Sequence, residues 1–413
     1  MRAPDDDHTA LTQPTDDVLS RFGTTLRHRD RKPMHFSRPL VRSFGALATI
    51  ILLATACGGS GDSSTDSSTP TGALSGICPA TVVIQADWFP EAEHGAVYEM
   101  LGDDYSADAE TKRVRGSLLD ADRVDTGVDL EIRSGGPAIG GLRVVEAMAT
   151  DDDITLGFVN TDSAAFNYET IPTIAVVATL DKSPQMIMWD PETYPDVTSI
   201  ADIGRAGITV NVFSAGTFLD VFVATGVLNQ DQLDPSYDGS PGRFIAEGGT
   251  IAQQGFASAE PYLYEKVFSD WGKPVAYQLL HDAGYQSYAQ PLAIRAADKE
   301  ALAPCLKKLV PIIQRSAAAY VEDGERANDI IVDAVAKFDT FWVYEKGVAD
   351  FSTKVQRDLE LVGNGDDDTI GNFDFERAEQ VLDQLRDAGL DVPTDLTADM
   401  IYTNEFIDPS IGL

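Results

Sequence analysis

The sequence predicts an α/β protein built as two lobes. Short, almost continuously apolar runs alternate with helical patterns, which is the βαβ signature of layered α/β folds. Polar clusters follow several of those runs directly. The chain also leaves one alternating unit, builds another, and then returns to the first. A length of 413 residues with 43% hydrophobic content is enough for one or two packed cores.

The elements follow in order. "TVVIQADW" (81–88) is nearly all apolar, as a strand buried on both faces should be. "VDLEIRS" (128–134) is a second strand. In "GLRVVEAMATDD", Leu142, Val145, Met148 and Ala149 fall on one helical face. "ITLGFVN" (154–160) is a third strand and ends in the polar set 160–163; "TIAVVATL" (173–180) follows. A second lobe is predicted over 182–289, with strands at 207–213 and 274–280 and a helix after the small-residue turn at 214–217. "YAQPLAIRAADKEAL" returns the chain to the first lobe, which spans 80–181 and 290–413. Two linkers side by side make a hinge, with a cleft between the lobes. Ligands of open α/β sheets sit at the carboxyl ends of strands, so the clusters at 87–94, 160–163 and 214–217 are expected to converge on that cleft.

The N-terminus reads as an export leader. Residues 44–56, "FGALATIILLATA", are too short to span a bilayer and follow Arg38 and Arg42, as the apolar core of a signal peptide does. "LLATACGGS" resembles a bacterial lipobox, which would make Cys57 the lipidated N-terminus; an ordinary soluble export signal is the alternative. Residues 1–33 lie upstream of a complete n-region beginning at Met34 and read as an extension outside the signal peptide (34–56). Residues 57–79, rich in Gly, Ser, Thr and Asp, form a flexible tether. The expected location is the extracytoplasmic face of the membrane, held by a lipid anchor.

Residues 1–56 hold 8 Lys/Arg and 6 Asp/Glu, which leaves 23 basic and 60 acidic groups, a formal charge near −37. That field repels phosphate backbones and argues against nucleic acid. With Cys57 lipidated, Cys78 and Cys305 form an even pair that could bond outside the cytoplasm. Cys305 also lies on the apolar face Leu302/Cys305/Leu306/Leu309, where a free buried thiol is the alternative.

Enzyme signatures are scarce. Only His94 and His281 remain beyond the leader, which excludes a multi-histidine metal centre. There is no G-x-S-x-G elbow and no P-loop. "SGGPAIGGLR" lacks dinucleotide-binding spacing and reads as a strand-to-helix turn. An EF-hand register from Asp366 puts Ile370 at a ligand position and Arg377 where a bidentate Glu belongs, so 364–376 reads as a solvated loop. Neither metal nor cofactor is expected. The remaining chemistry is recognition. Trp88, Phe89 and Tyr98 offer aromatic faces, and His94 can donate or accept near neutral pH. Asp87, Asn160, Asp162 and Glu260 offer acceptors, and Ser214, Gly216 and Thr217 precede a helix N-terminus. Each aromatic could equally be core, since buried aromatics dominate protein interiors.

These residues also carry a resemblance. "ADWFPEAEHGAVYEML" resembles the opening motif of solute-binding proteins related to thiamine pyrimidine-precursor synthases. "GFASAEPYLYE" (255–265) and "DLTADMIYTNEFID" (395–408) are similar to that family's "NEP–Y" and "TNeF" stretches. The resemblance spans 81–408 and implies a type II periplasmic binding fold. It further implies a monomer delivering a small planar heterocycle to an ABC importer permease, with Trp88, Phe89, His94, Tyr98 and Glu260 at the ligand. A thiamine pyrimidine precursor is the first choice, a riboflavin-like heterocycle the second, and a nitrate- or sulfonate-type anion the third. Departures are Glu91 and Glu93 where the family has asparagines, Ala259 in "NEP", and an inserted stretch at 102–127. The synthases themselves use a cysteine-rich iron site; this chain has no cysteine cluster, which sets the enzyme reading aside.

Overall fold

The computed structural model describes residues 72–213, 216–365 and 367–413. The leader, the tether up to residue 71 and the expectations on Cys57 and Ser214 lie outside them.

Among the described residues, twelve strands form two sheets. They are β1 (Thr81–Gln85), β2 (Ser106–Asp108), β3 (Arg113–Leu119), β4 (Asp125–Arg133), β5 (Leu156–Phe158) and β6 (Thr173–Ala178). Then come β7 (Gln185–Trp189), β8 (Val210–Asn211), β9 (Leu233–Asp234), β10 (Ala252–Phe256), β11 (Ala276–Leu279) and β12 (Pro291–Arg295). The first sheet has the order β2-β3-β4-β1-β5-β12-β6 and the second β11-β7-β10-β8-β9. β1 runs parallel to β4 and β5. β12, coming back from the second sheet, inserts antiparallel between β5 and β6. The returning β12 thus lies antiparallel among β4, β1, β5 and β6, which share one direction, and the two-sheet α/β architecture is the type II periplasmic binding fold that was expected.

The stretch 102–127 is part of this architecture: it supplies β2, β3 and the start of β4 and widens the first sheet by an antiparallel edge. The helix expected around "GLRVVEAMATDD" begins at Val144, where the Arg143 backbone N–H donates to Glu146 Oε2 at 2.9 Å. That start leaves Leu142 outside the helix and exposed. The buried face is Val144, Val145, Ala147 and Met148, and Ala149 points to solvent.

The first sheet's core joins Val82, Ile84, Leu130, Ile132 and Phe158 to the helices Lys299–Glu322 and Glu325–Phe338. Strand residues buried on both faces are what a parallel sheet covered by helices requires. Cys78 and Cys305 are joined by a disulfide, with their Cα atoms 4.7 Å apart, tying the approach to β1 to the first turns of the long helix.

Candidate functional site

The carboxyl end of β1 runs through Ala86 into the loop 87–91, a 3-10 turn Ala92–His94 and the helix Gly95–Glu99. Two close approaches shape it. A Cβ on Gly95 would lie 2.1 Å from the Tyr320 ring, so only glycine lets the helix pack there. At the end of β4, a Cβ on Gly135 would lie 2.0 Å from the Ala86 carbonyl oxygen, and Gly136, at φ +53, passes under the Trp88 ring. The glycine-rich turn after β4 therefore lets its backbone underlie the loop.

A distant segment holds the loop from the other side. Trp342 Nε1 donates to the Pro90 carbonyl at 3.1 Å, the Ala92 N–H donates to the Tyr344 hydroxyl at 3.1 Å, and Gln356 donates to the Ala92 carbonyl at 2.9 Å. Trp88 packs edge-on against Phe89 and Trp342, at 6.2 and 5.9 Å between ring centroids, and Trp342 stacks on Tyr344.

Within this frame the loop presents acid and imidazole. His94 is fully buried; its Nε2 lies 2.7 Å from Asp87 Oδ1 and 3.9 Å from Glu91 Oε1. Gln290, on the segment entering β12, donates to Asp87 Oδ1 and Oδ2 at 3.3 and 3.2 Å. From the second lobe, the Ser258 hydroxyl donates to Glu93 Oε1 across the interlobe boundary. Glu260 accepts from the Phe256 N–H at 2.7 Å and from the Tyr237 hydroxyl at 3.4 Å. Among the described residues, Asp87 and Glu91 have only His94 within ion-pair distance, and Glu93 and Glu260 have no basic group there.

Burial without a lysine or arginine raises these acids. Glu91 is held well above the ordinary carboxylate range by desolvation first and by Glu93 and Asp87 second. Desolvation raises Glu93 as well, against the Ser258 hydrogen bond, and pushes Glu260 up to about 7.

A second polar set sits at the start of the helix Thr161–Asn167. Asn160 caps that helix, its side-chain oxygen accepting from the Ser163 N–H at 2.7 Å. Asp162 accepts from the Tyr285 hydroxyl at 2.6 Å and from Ser287 at 3.4 Å, and Thr217 of the second lobe is a neighbour of its carboxylate. Gly216 and Thr217 open the helix Thr217–Ala224 and border a cavity of about 470 Å³ with Arg143, Phe166, Asp220 and Leu390.

The sequence-derived residues thus divide. Asp87, His94 and Glu260 belong to one polar cluster in which only His94 is fully buried, and Asp162 and Thr217 to another interlobe contact. Tyr98 is 2% exposed and packs in the core of the first sheet, which makes it a packing residue in this conformation. Phe89 is likewise buried and serves as a support for Trp88. Gln290, Ser258, Tyr237, Trp342 and Tyr344 escaped sequence reasoning. The aromatic run "FWVY" (341–344) within a predicted helical tail was the available signal for the last two.

No family model matches the sequence, and no curated protein is similar to it. Solved structures do align. A protein from Bordetella bronchiseptica RB50 aligns at TM-score 0.49 and 14% identity, over 79% of this chain and 96% of that one. The alkanesulfonate-binding protein SsuA from Xanthomonas axonopodis pv. citri, bound to MOPS, aligns at 0.48 and 11%, over 79% and 98%. The aliphatic sulphonate binding protein SsuA from Escherichia coli aligns at 0.47 and 12%, over 75% and 86%. Identities this low say nothing about what this chain binds. Its own site must carry that.

Proposed function

We propose that this chain is an extracytoplasmic solute-binding protein that captures a small planar heterocycle between its lobes and passes it to an ABC importer. A pyrimidine precursor of thiamine is the preferred solute. The carrying observation is the interlobe cluster of Asp87, Glu91, Glu93 and Glu260 around His94, walled by Trp88 and with no lysine or arginine among the described residues to neutralise it. Such a wall offers acceptors and negative potential. An aminopyrimidine supplies N–H donors at its edge and a flat face for Trp88. A solute bridging both walls stabilises the closed lobes in proportion to its preference for them.

Delivery to an importer accords with the export leader and tether read from the sequence, with Cys57 as the lipid anchor, and with a monomer that binds and releases without chemistry. Among the described residues no helix is long and apolar enough to cross a membrane. The test is thermal shift of the purified exported chain with aminopyrimidine precursors, thiamine, riboflavin, taurine and nitrate. A solute at 100 times its dissociation constant adds about 2.7 kcal/mol. The aminopyrimidine is expected to raise the melting temperature, and Glu260→Gln or Trp88→Ala to weaken that response. A shift with taurine or nitrate alone would reject the reading.

A further inference from the structure

We infer that Arg377 is the pivot pin of the interlobe hinge: one guanidinium that holds both linkers at a fixed spacing while the lobes turn about them. The inference rests on the proposed movement of the lobes and not on the identity of the solute.

The chain passes from sheet to sheet twice, from β6 to β7 over 179–184 and from β11 to β12 over 280–290. The two passages lie together, since the Thr179 hydroxyl donates to the Gln290 carbonyl at 3.1 Å. Arg377, on the helix Phe375–Asp387, reaches both. On the first passage its Nη1 donates to Asp181 Oδ1 at 2.8 Å and its Nη2 to the Asp181 carbonyl. On the second its Nε donates to the Gln286 carbonyl at 2.8 Å. The guanidinium carbon lies 4.0 Å from the centre of the Tyr288 ring. Arg377 is 8% exposed, and among the described residues Asp181 is its one ion-pair partner.

A planar guanidinium carries its donors in fixed directions, so acceptors bound along different edges are held at a set spacing. These bonds are charge-assisted, and a buried charge parted from its acceptors is costly. The contact therefore persists as the lobes turn, and rotation falls on the unpinned bonds to either side. Both passages are also tied down beside the pin. The Leu361 carbonyl accepts from the Asp181 and Lys182 N–H groups at 2.7 and 3.2 Å. The Tyr288 N–H donates to the Thr161 hydroxyl at 3.0 Å. The Tyr288 hydroxyl accepts from the N–H of Asp374, the residue that caps the Arg377 helix. That helix lies in turn against the second lobe's helix Thr217–Ala224. The pin thus stands where both linkers and both lobes meet, away from the loop 87–94.

The test measures the separation of the lobes by electron paramagnetic resonance. The full chain carries Cys57→Ser and one spin label in each lobe, at Asp122→Cys and Asp231→Cys, both exposed positions. Cys78 and Cys305 are bonded to each other and take no label. Without solute, the unmodified hinge is expected to give one narrow distance peak. Arg377→Lys keeps the charge and can hold Asp181, but its single nitrogen has no fork to hold Gln286 as well. It should broaden the peak about twofold. Asp181→Ala, at a half-buried position, leaves the guanidinium its two carbonyl acceptors and should broaden the peak less. It decides alone if Arg377→Lys fails to fold. Unchanged peaks, or a lower melting temperature with an unchanged peak, would overturn the inference and make Arg377 a packing residue only. Adding the aminopyrimidine to the unmodified protein separates the two proposals. No shift of the peak counts against capture between the lobes and leaves the pin to the solute-free comparison. A shift with equal peak widths in protein and variants keeps the capture and removes the pin.

Discussion

The two sheets are built to different standards. The first has seven strands, a disulfide at its entry and two long helices over its core. The second has five strands, of which β8 and β9 are two residues each. Its own apolar cluster, around Met186, Met188, Phe244 and Tyr264, is completed by Val355 and Leu361 from the C-terminal part of the chain. The heavier lobe carries Asp87, Glu91, Glu93 and His94 on the loop and 3-10 turn that follow β1, whereas the lighter one contributes Ser258, Glu260 and Tyr237. A binding wall needs fixed geometry; a closing wall needs few contacts, so that closure stays reversible.

The largest test of that contrast is the disulfide. It closes a stretch of chain 227 residues long that includes the whole second sheet. Cys78→Ser with Cys305→Ser is expected to lower the unfolding free energy by about 2–5 kcal/mol in urea titration. An unchanged midpoint would mean that packing alone secures the first lobe. Next comes Ser258→Ala, which strips the buried Glu93 of its interlobe donor at a cost of about 1–3 kcal/mol. The solute-free protein should open, with a larger radius of gyration in small-angle scattering; an unchanged radius would show that the lobes are held by other contacts.

The smallest effect is a slope. Glu260, facing Tyr237, Tyr264 and the charge of Glu93, titrates near 7 when folded against an ordinary value of 4.5. Between those values the folded state holds a proton that the unfolded chain has lost, so stability falls as pH rises, by at most about 1.4 kcal/mol per unit. Its stabilising contribution is full below 4.5 and is lost as pH passes 7. Glu260→Gln without solute should flatten the melting temperature over that window. An unaltered slope would assign it to Glu91, Glu93 and Asp162, which burial shifts in the same direction.

The α/β class and most strands were legible because a strand buried on both faces is a continuous apolar run, as β1 and β6 are. The helix after β4 was misplaced by its first turn, since Leu142 fits a helical period but the Arg143–Glu146 contact starts the helix behind it. The loop 87–94 was legible as chemistry because its acids, aromatics and histidine are neighbours in sequence. Its partners were not. Gln290, Ser258 and Trp342 lie more than 160 residues from the residues they touch. Nothing in their local sequence marks a glutamine, a serine or a tryptophan as pointing into a cleft.

By itself the sequence determined that this chain folds as two α/β lobes and that a polar, aromatic loop ends its first strand. Apolar periodicity and residue type are local properties, and they suffice for both. Only the tertiary structure decided which aromatics are walls and which are core. It buried Tyr98 and left Trp88 against Trp342. It also decided that Glu91 and Glu93 share one site with Glu260. Burial and the absence of a lysine or arginine beside them among the described residues are properties of position in space, and they raise the proton affinity of acids that look like surface residues in the sequence.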